Sequence, residues 1–189
     1  MKRLFVGFIV IMSLVGCNKE SVTDEVIPPT PTAKFSDTTY AIDFTYPASW
    51  VFNQSDTEGI LQVQAANIEA PDDYDCDEDY AGVIITSTVR DTTDDFDTWI
   101  QKNHSIDPGL GQYGGEITKL TGTVFGDYPA YRVEKMGWDT YCPAYGYVID
   151  YSDEEDQGRI VEVIISRNED YAEGVAETNQ VLNNIVLTK

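Results

Sequence analysis

The chain has 189 residues, with 33 Asp and Glu against 12 Lys and Arg, and a formal net charge of −21 at pH 7. A surface so acidic repels nucleic acid and anionic lipid headgroups, so neither is an expected partner. Apolar residues at 42%, with seven Phe, twelve Tyr and three Trp, exclude a disordered chain and supply enough material for one packed domain.

The first segment reads as an address. Lys2 and Arg3 precede an apolar run from Leu4 to Val15, which is too short for a transmembrane span of ~20 apolar residues. Leu14-Val15-Gly16-Cys17 then has the form of a lipobox, so residues 1–16 are expected to be a lipoprotein signal peptide and Cys17 the lipidated residue. Cleavage there removes Lys2 and Arg3 but no acid, which deepens the negative charge by two. With no basic patch to hold the bilayer, acyl chains on Cys17 would supply the membrane affinity. The location implied is extracytoplasmic and membrane-anchored, most readily at the outer membrane, on its periplasmic face or the cell surface. Asn18-Lys19-Glu20 resembles the short signals that send some lipoproteins to that surface.

Residues 17–38 are expected to be the lipidated cysteine and a tether, because Pro28, Pro29 and Pro31 favour extended, donor-poor backbone. The globular domain is expected over 39–189. Tyr40, Ile42 and Phe44 alternate with smaller or polar residues, the period of a half-buried strand. Leu61, Val63 and Ala65 predict a second strand, and 82–90 a third, rich in β-branched residues. The period then changes: Asp91 to Asp95 offers capping groups, and Phe96, Trp99 and Ile100 follow at helical spacing, predicting a helix over 93–104. Residues 105–115 read as a loop. Strands are expected at 117–125 and 130–138, joined by Gly126-Asp127-Tyr128-Pro129, and again at 145–151 and 159–167. Asn168-Glu169-Asp170 then offers a cap for a final helix with Tyr171, Val175, Thr178, Leu182 and Ile185 along one face. Short links favour antiparallel pairing. The expected class is α+β, with a mainly antiparallel sheet of about six to seven strands, one inserted helix and one terminal helix.

The stretch from Tyr40 to Trp50, with Tyr46-Pro47-Ala48-Ser49-Trp50 at its end, resembles the PsbP-like and DcrB-like group of extracytoplasmic domains, which often open with a strand ending in Tyr-Pro-x-x-Trp. Gly126-Asp127-Tyr128-Pro129-Ala130 resembles that group's turn between central strands, and the likeness spans roughly 40–187. It implies an antiparallel sheet with helices on its faces and an accessory or binding role, with no catalytic residues to carry over. From the residues alone, Pro47 ends a strand and Trp50 fills the core.

Several patterns invite a chemical reading. Gly109 to Gly114 has the letters of a dinucleotide fingerprint, but a helix precedes it and a strand follows, the reverse of what phosphate binding requires. Asp73, Asp75, Asp77 and Asp79 place carboxylates at alternate positions, hard oxygen ligands for Ca²⁺. The EF-hand pattern fails there, since Glu78 and Ile84 stand where Gly and Glu belong, so a solvated loop is the default and Ca²⁺ binding the alternative. His104 is the sole histidine, which excludes a multi-histidine metal centre, and no other cofactor is implied. There is no Gly-x-Ser-x-Gly elbow, and paired carboxylates are uninformative among 33 acids. The sequence therefore points to a non-enzymatic accessory or binding domain whose partner is an envelope protein or small ligand. Tyr141, Tyr145, Tyr147 and Tyr151 are the candidate interaction face, because tyrosine joins contact area to a polar tip. Packing within the fold is the competing role for these rings. Once Cys17 is lipidated, Cys76 and Cys142 remain as an even pair in an oxidising compartment and are expected to form a disulfide.

Overall fold

The computed structural model describes residues 31–68, 79–90, 93–104, 116–121, 125–134, 144–152 and 158–188. Their elements run β1 (Thr32–Asp37), β2 (Ile42–Pro47), β3 (Val51–Thr57), β4 (Ile60–Ala66), β5 (Ala81–Val89), α1 (Phe96–His104), β6 (Ile117–Lys119), β7 (Ala130–Glu134), β8 (Ala144–Asp150), β9 (Arg159–Arg167), α2 (Ala172–Asn183) and β10 (Val186–Leu187). The protein is α+β. Seven strands form one antiparallel sheet in the order β3-β4-β5-β9-β8-β7-β6, and β1-β2-β10 form a second.

Side-chain alternation along the strands sends two apolar sets to opposite faces of the large sheet. Val161, Val163 and Ile165 of β9 join Leu61, Val63, Val83 and Ile85, together with Phe35, Ile42 and Phe44 of the small sheet and Val181 of α2. Ile160 of the same strand turns the other way and meets Val148, Tyr131 and Val133, which carry Phe96 and Ile100 of α1. One face is thus covered by the small sheet and α2, the other by α1. Helices pack on both faces of the sheet, as the PsbP-like resemblance implies.

Two strands escaped the sequence reading at the start of the domain. β1 lies inside the stretch expected to be tether: its prolines precede it, and Thr32–Asp37 pairs residue by residue with β2, burying Phe35. Only Phe35 of its six residues is buried, so no period of two was there to read. β3 is an edge strand whose Asn53 to Thr57 are exposed, and a polar edge carries no alternation. It joins β4 through Glu58-Gly59, both at positive φ (56° and 80°), the conformation of a type I′ hairpin. β10 is two residues long and returns the chain from α2 to β2.

The remaining boundaries shift in identifiable ways. α1 begins at Phe96 because Asp95 caps it, accepting from the Thr98 amide at 2.8 Å and the Thr98 hydroxyl at 2.9 Å. The strand expected from residue 117 is paired only through Lys119, and Phe125 sits in the turn before β7. The Asn168-Glu169-Asp170 group does not cap α2. Its N-cap is Tyr171, with no side-chain cap bond, and the Asn168 carboxamide instead accepts the Asp170 amide at 2.9 Å. The predicted loop over 105–115 lies outside the described residues.

Candidate functional site

At one end of the large sheet, the turn before β7 meets the end of β8. The Asp150 amide donates to the Pro129 carbonyl at 2.9 Å, and the Tyr151 amide donates to the Arg159 carbonyl at the same distance. These bonds set Asp127, Tyr128 and Pro129 opposite Asp150 and Ser152, and the space between them is a cleft of about 450 Å³. Gly126 at φ +73° turns the chain so that Asp127 and Tyr128 stand at its rim.

The walls of the cleft are fixed by their own contacts. Tyr128 packs edge-on against Tyr151 with ring centroids 4.8 Å apart, and the Tyr151 hydroxyl donates to the Thr188 carbonyl. Asp150 is held by an ion pair with Arg90 at 3.3 Å, and its other oxygen accepts the Ser152 amide and hydroxyl. Ser152 in turn accepts the Gly158 amide at 2.9 Å. Arg90 and Asp150 are about nine-tenths buried, and the Arg90 guanidinium also donates to the Asp94 carbonyl at 2.6 Å. The Asp150 charge is therefore balanced inside the fold. Asp127 is exposed and has no partner among the described residues.

The predicted tyrosine face divides. Tyr151 is buried, with 6% of its surface exposed, and serves as the base on which Tyr128 rests. Tyr145 and Tyr147 are half-buried on the face shared with α2, their rings 6.1 Å apart, and Tyr147 lies 5.2 Å from Phe125. Tyr145 sits between two guanidiniums, Arg132 at 4.8 Å and Arg167 at 5.4 Å from its ring centre, and burial raises its phenol pKa above the ordinary range. Tyr141 lies outside the described residues.

Of the alternating carboxylates, Asp73, Asp75 and Asp77 lie outside the described residues, as do Cys17, Cys76, Cys142 and the Gly109–Gly114 loop. Asp79 is exposed and its carbonyl accepts the Asn67 carboxamide. No group of three or more metal-ligating side chains is arranged around a common point among the described residues. His104 ends α1 with its Nε2 3.1 Å from Glu162 on β9, off the direction of a hydrogen bond, and its ring meets Trp99 edge-on. A second, shallower concavity lies on the outer half of the large sheet, lined by Asn53, Gln54, Ser55, Gln62 and Gln64. Among the described residues no helix is long and apolar enough to cross a membrane.

The chain is similar to the solution structure of cyanobacterial PsbP (CyanoP) from Synechocystis sp. PCC 6803. The two share 14% identity over 86% of this chain and 96% of that one, with a TM-score of 0.47. No family model matches the chain. No curated protein matches it either.

The cleft was not among the sites expected from the sequence. Its residues were read as a hairpin link and a strand end, which they are. The missing signal was three-dimensional, since residues 127–129 and 150–152 meet only because β7 and β8 pair in register.

Proposed function

We propose that the protein is a non-catalytic binding domain of the cell envelope, held at a membrane by acyl chains on Cys17. The observation that carries this reading is the sequence Leu14-Val15-Gly16-Cys17 after a basic, apolar leader. The position of β1 supports it. The packed domain starts at Thr32, so residues 18–31 serve as spacer, a length that reaches at most ~50 Å when fully extended. The domain is then presented close to the bilayer, and its acidic surface keeps it from lying flat on anionic headgroups. The resemblance to PsbP-like and DcrB-like domains supports an accessory role in place of catalysis, and the tethered domain works by binding.

The test is the fate of a Cys17→Ser form. The wild-type protein partitions into the detergent phase and labels with a fatty-acid analogue. The variant loses the label and moves to the aqueous phase or remains uncleaved. Unchanged partitioning of the variant refutes the anchor.

A further inference from the structure

The cleft between the β7 turn and the end of β8 has the size and lining of a small-molecule site, and we infer that it binds an organic cation, a protonated amine carried on a short apolar body. This inference does not depend on the membrane anchor.

Ligand sites in proteins occupy ~300–1,000 Å³ and combine apolar walls with a few convergent polar groups. The cleft, at about 450 Å³, falls within that range. Its apolar surfaces are the Tyr128 ring and Pro129, and its polar groups are the Asp127 and Asp150 carboxylates and the Ser152 hydroxyl. Charge decides the ligand class. Asp150 is already neutralised by Arg90 and takes two further hydrogen bonds from Ser152, so it shapes the wall without demanding a counter-charge. Asp127 has no partner among the described residues and leaves one carboxylate charge for a ligand to meet.

The described cations are committed elsewhere. Lys34 pairs with Asp43, Lys102 with Asp94, Lys119 with Asp97, Arg132 with Glu134 and Arg167 with Glu169. Arg159 lies over the Tyr40 ring and donates to Ser87. Among the described residues no cation meets Asp127, and the proposed ligand supplies one. Tyr128 adds an aromatic edge and face beside that carboxylate, an arrangement that attracts an ammonium group by its ring quadrupole. An anionic ligand of the same shape would be repelled by Asp127 and by the field of a chain carrying −21, and a neutral one would leave the Asp127 charge without a counter-charge. The walls require little rearrangement to receive a ligand, because Tyr128 rests on a tethered Tyr151 and Asp150 is locked by Arg90.

The experiment is calorimetric titration of the full-length protein in detergent with benzylammonium, against benzyl alcohol and benzoate as probes of equal size. Ionic strength is held at ~0.15 M to screen the general attraction of an acidic surface for cations. Benzylammonium binds and the two other probes do not. Asp127→Asn, which keeps the shape of the side chain and removes its charge, weakens binding at least about tenfold, as loss of a charge-assisted contact requires. Tyr128→Leu weakens it less. Asp170→Asn removes the same charge from an exposed site at the other end of β9 and leaves binding unchanged. Equal weakening by Asp127→Asn and Asp170→Asn, equal binding of the three probes, or no binding of benzylammonium overturns the proposal. Circular dichroism of each variant confirms that the fold persists.

Discussion

Arg167 is a cation almost removed from water, with 6% of its surface exposed, and what surrounds it explains why that is tolerated. Its guanidinium donates to the Thr178 hydroxyl at 2.6 Å, the Asn179 carboxamide at 3.0 Å and the Val175 carbonyl at 3.3 Å, while its Nε reaches Glu169 at 3.1 Å. One side chain from β9 thereby fastens three residues of α2 to the sheet. Thr178 passes the link on, donating to the Gly174 carbonyl at 2.8 Å. Arg167→Met keeps much of the packing volume but leaves these acceptors with one partner fewer, and it costs ~2–4 kcal/mol by urea unfolding. Arg167→Lys restores less than half of the loss, because an ammonium cannot span a fork of acceptors. Wild-type stability in Arg167→Lys would show that charge, and not the fork, holds α2.

Glu177 of α2 accepts a hydrogen bond from the Trp50 indole at 3.1 Å. Its pKa is raised above the ordinary 4.5, first by burial and then by the nearby Glu173 charge, with the Trp50 bond opposing both. A carboxyl whose folded pKa is raised holds its proton more tightly in the native state than in the unfolded chain. Its contribution to stability is present at low pH and is lost as pH rises from the unfolded pKa through the folded one. Asp43, Asp95 and Asp97 act in the opposite sense: their pKa values are lowered by bonds from Ser36, Thr98 and Lys119 respectively, so their contribution is lost as pH falls. Glu177→Gln keeps an acceptor for Trp50 and isolates the first effect. The variant is more stable than wild type at pH 7, by a small margin because the site is partly solvated, and the margin vanishes near pH 4. Urea midpoints across that range check it, and a pH-independent margin contradicts the assignment.

At the level of elements, α2 approaches β5 so closely that only glycine fits between them. A Cβ built on Gly174 would stand 2.6 Å from the Ala81 Cβ and would also collide with the Tyr171 ring. Alanine is a far better helix former than glycine, so in an exposed helix Gly→Ala would stabilise by ~1 kcal/mol. Here the contact is with another element's backbone-attached carbon, and Gly174→Ala destabilises by ~1–3 kcal/mol instead. A thermal shift upward in this variant would mean that α2 lies farther from the sheet. The sequence revealed α2 through its apolar spacing but not this contact, since glycine carries no period. The same holds elsewhere. β4, β5, β8 and β9 were legible because each buries alternate residues, whereas β1 buries only Phe35 and β3 is a polar edge. Val148 and Ile149 of β8 are both buried because the sheet is covered on both faces there, which blurs the alternation in the second half of the strand.

Across the whole molecule, the topology brings two distant parts of the chain to one place. β5 and β8 both pair with β9, and their first residues meet its last turn of ladder: Ala81 faces Arg167, and Ala144 faces Ser166. The entrances to β5 and β8 thus flank the same end of one strand, two interstrand spacings apart, or ~10 Å. Cys142 precedes Ala144 by two residues, and Cys76 precedes Ala81 by five. We predict that Cys76 and Cys142, an even pair of thiols if the chain is exported as proposed, form a disulfide between the segment before β5 and the segment before β8. The bond constrains a long loop of the unfolded chain, and its reduction lowers stability by ~2–4 kcal/mol. Mass spectrometry of the protein isolated without reductant decides the matter: the disulfide leaves both cysteines unlabelled by iodoacetamide, links their peptides in a non-reducing digest, and makes thermal unfolding sensitive to dithiothreitol. Alkylation of both Cys76 and Cys142 in the native, unreduced protein excludes the bond.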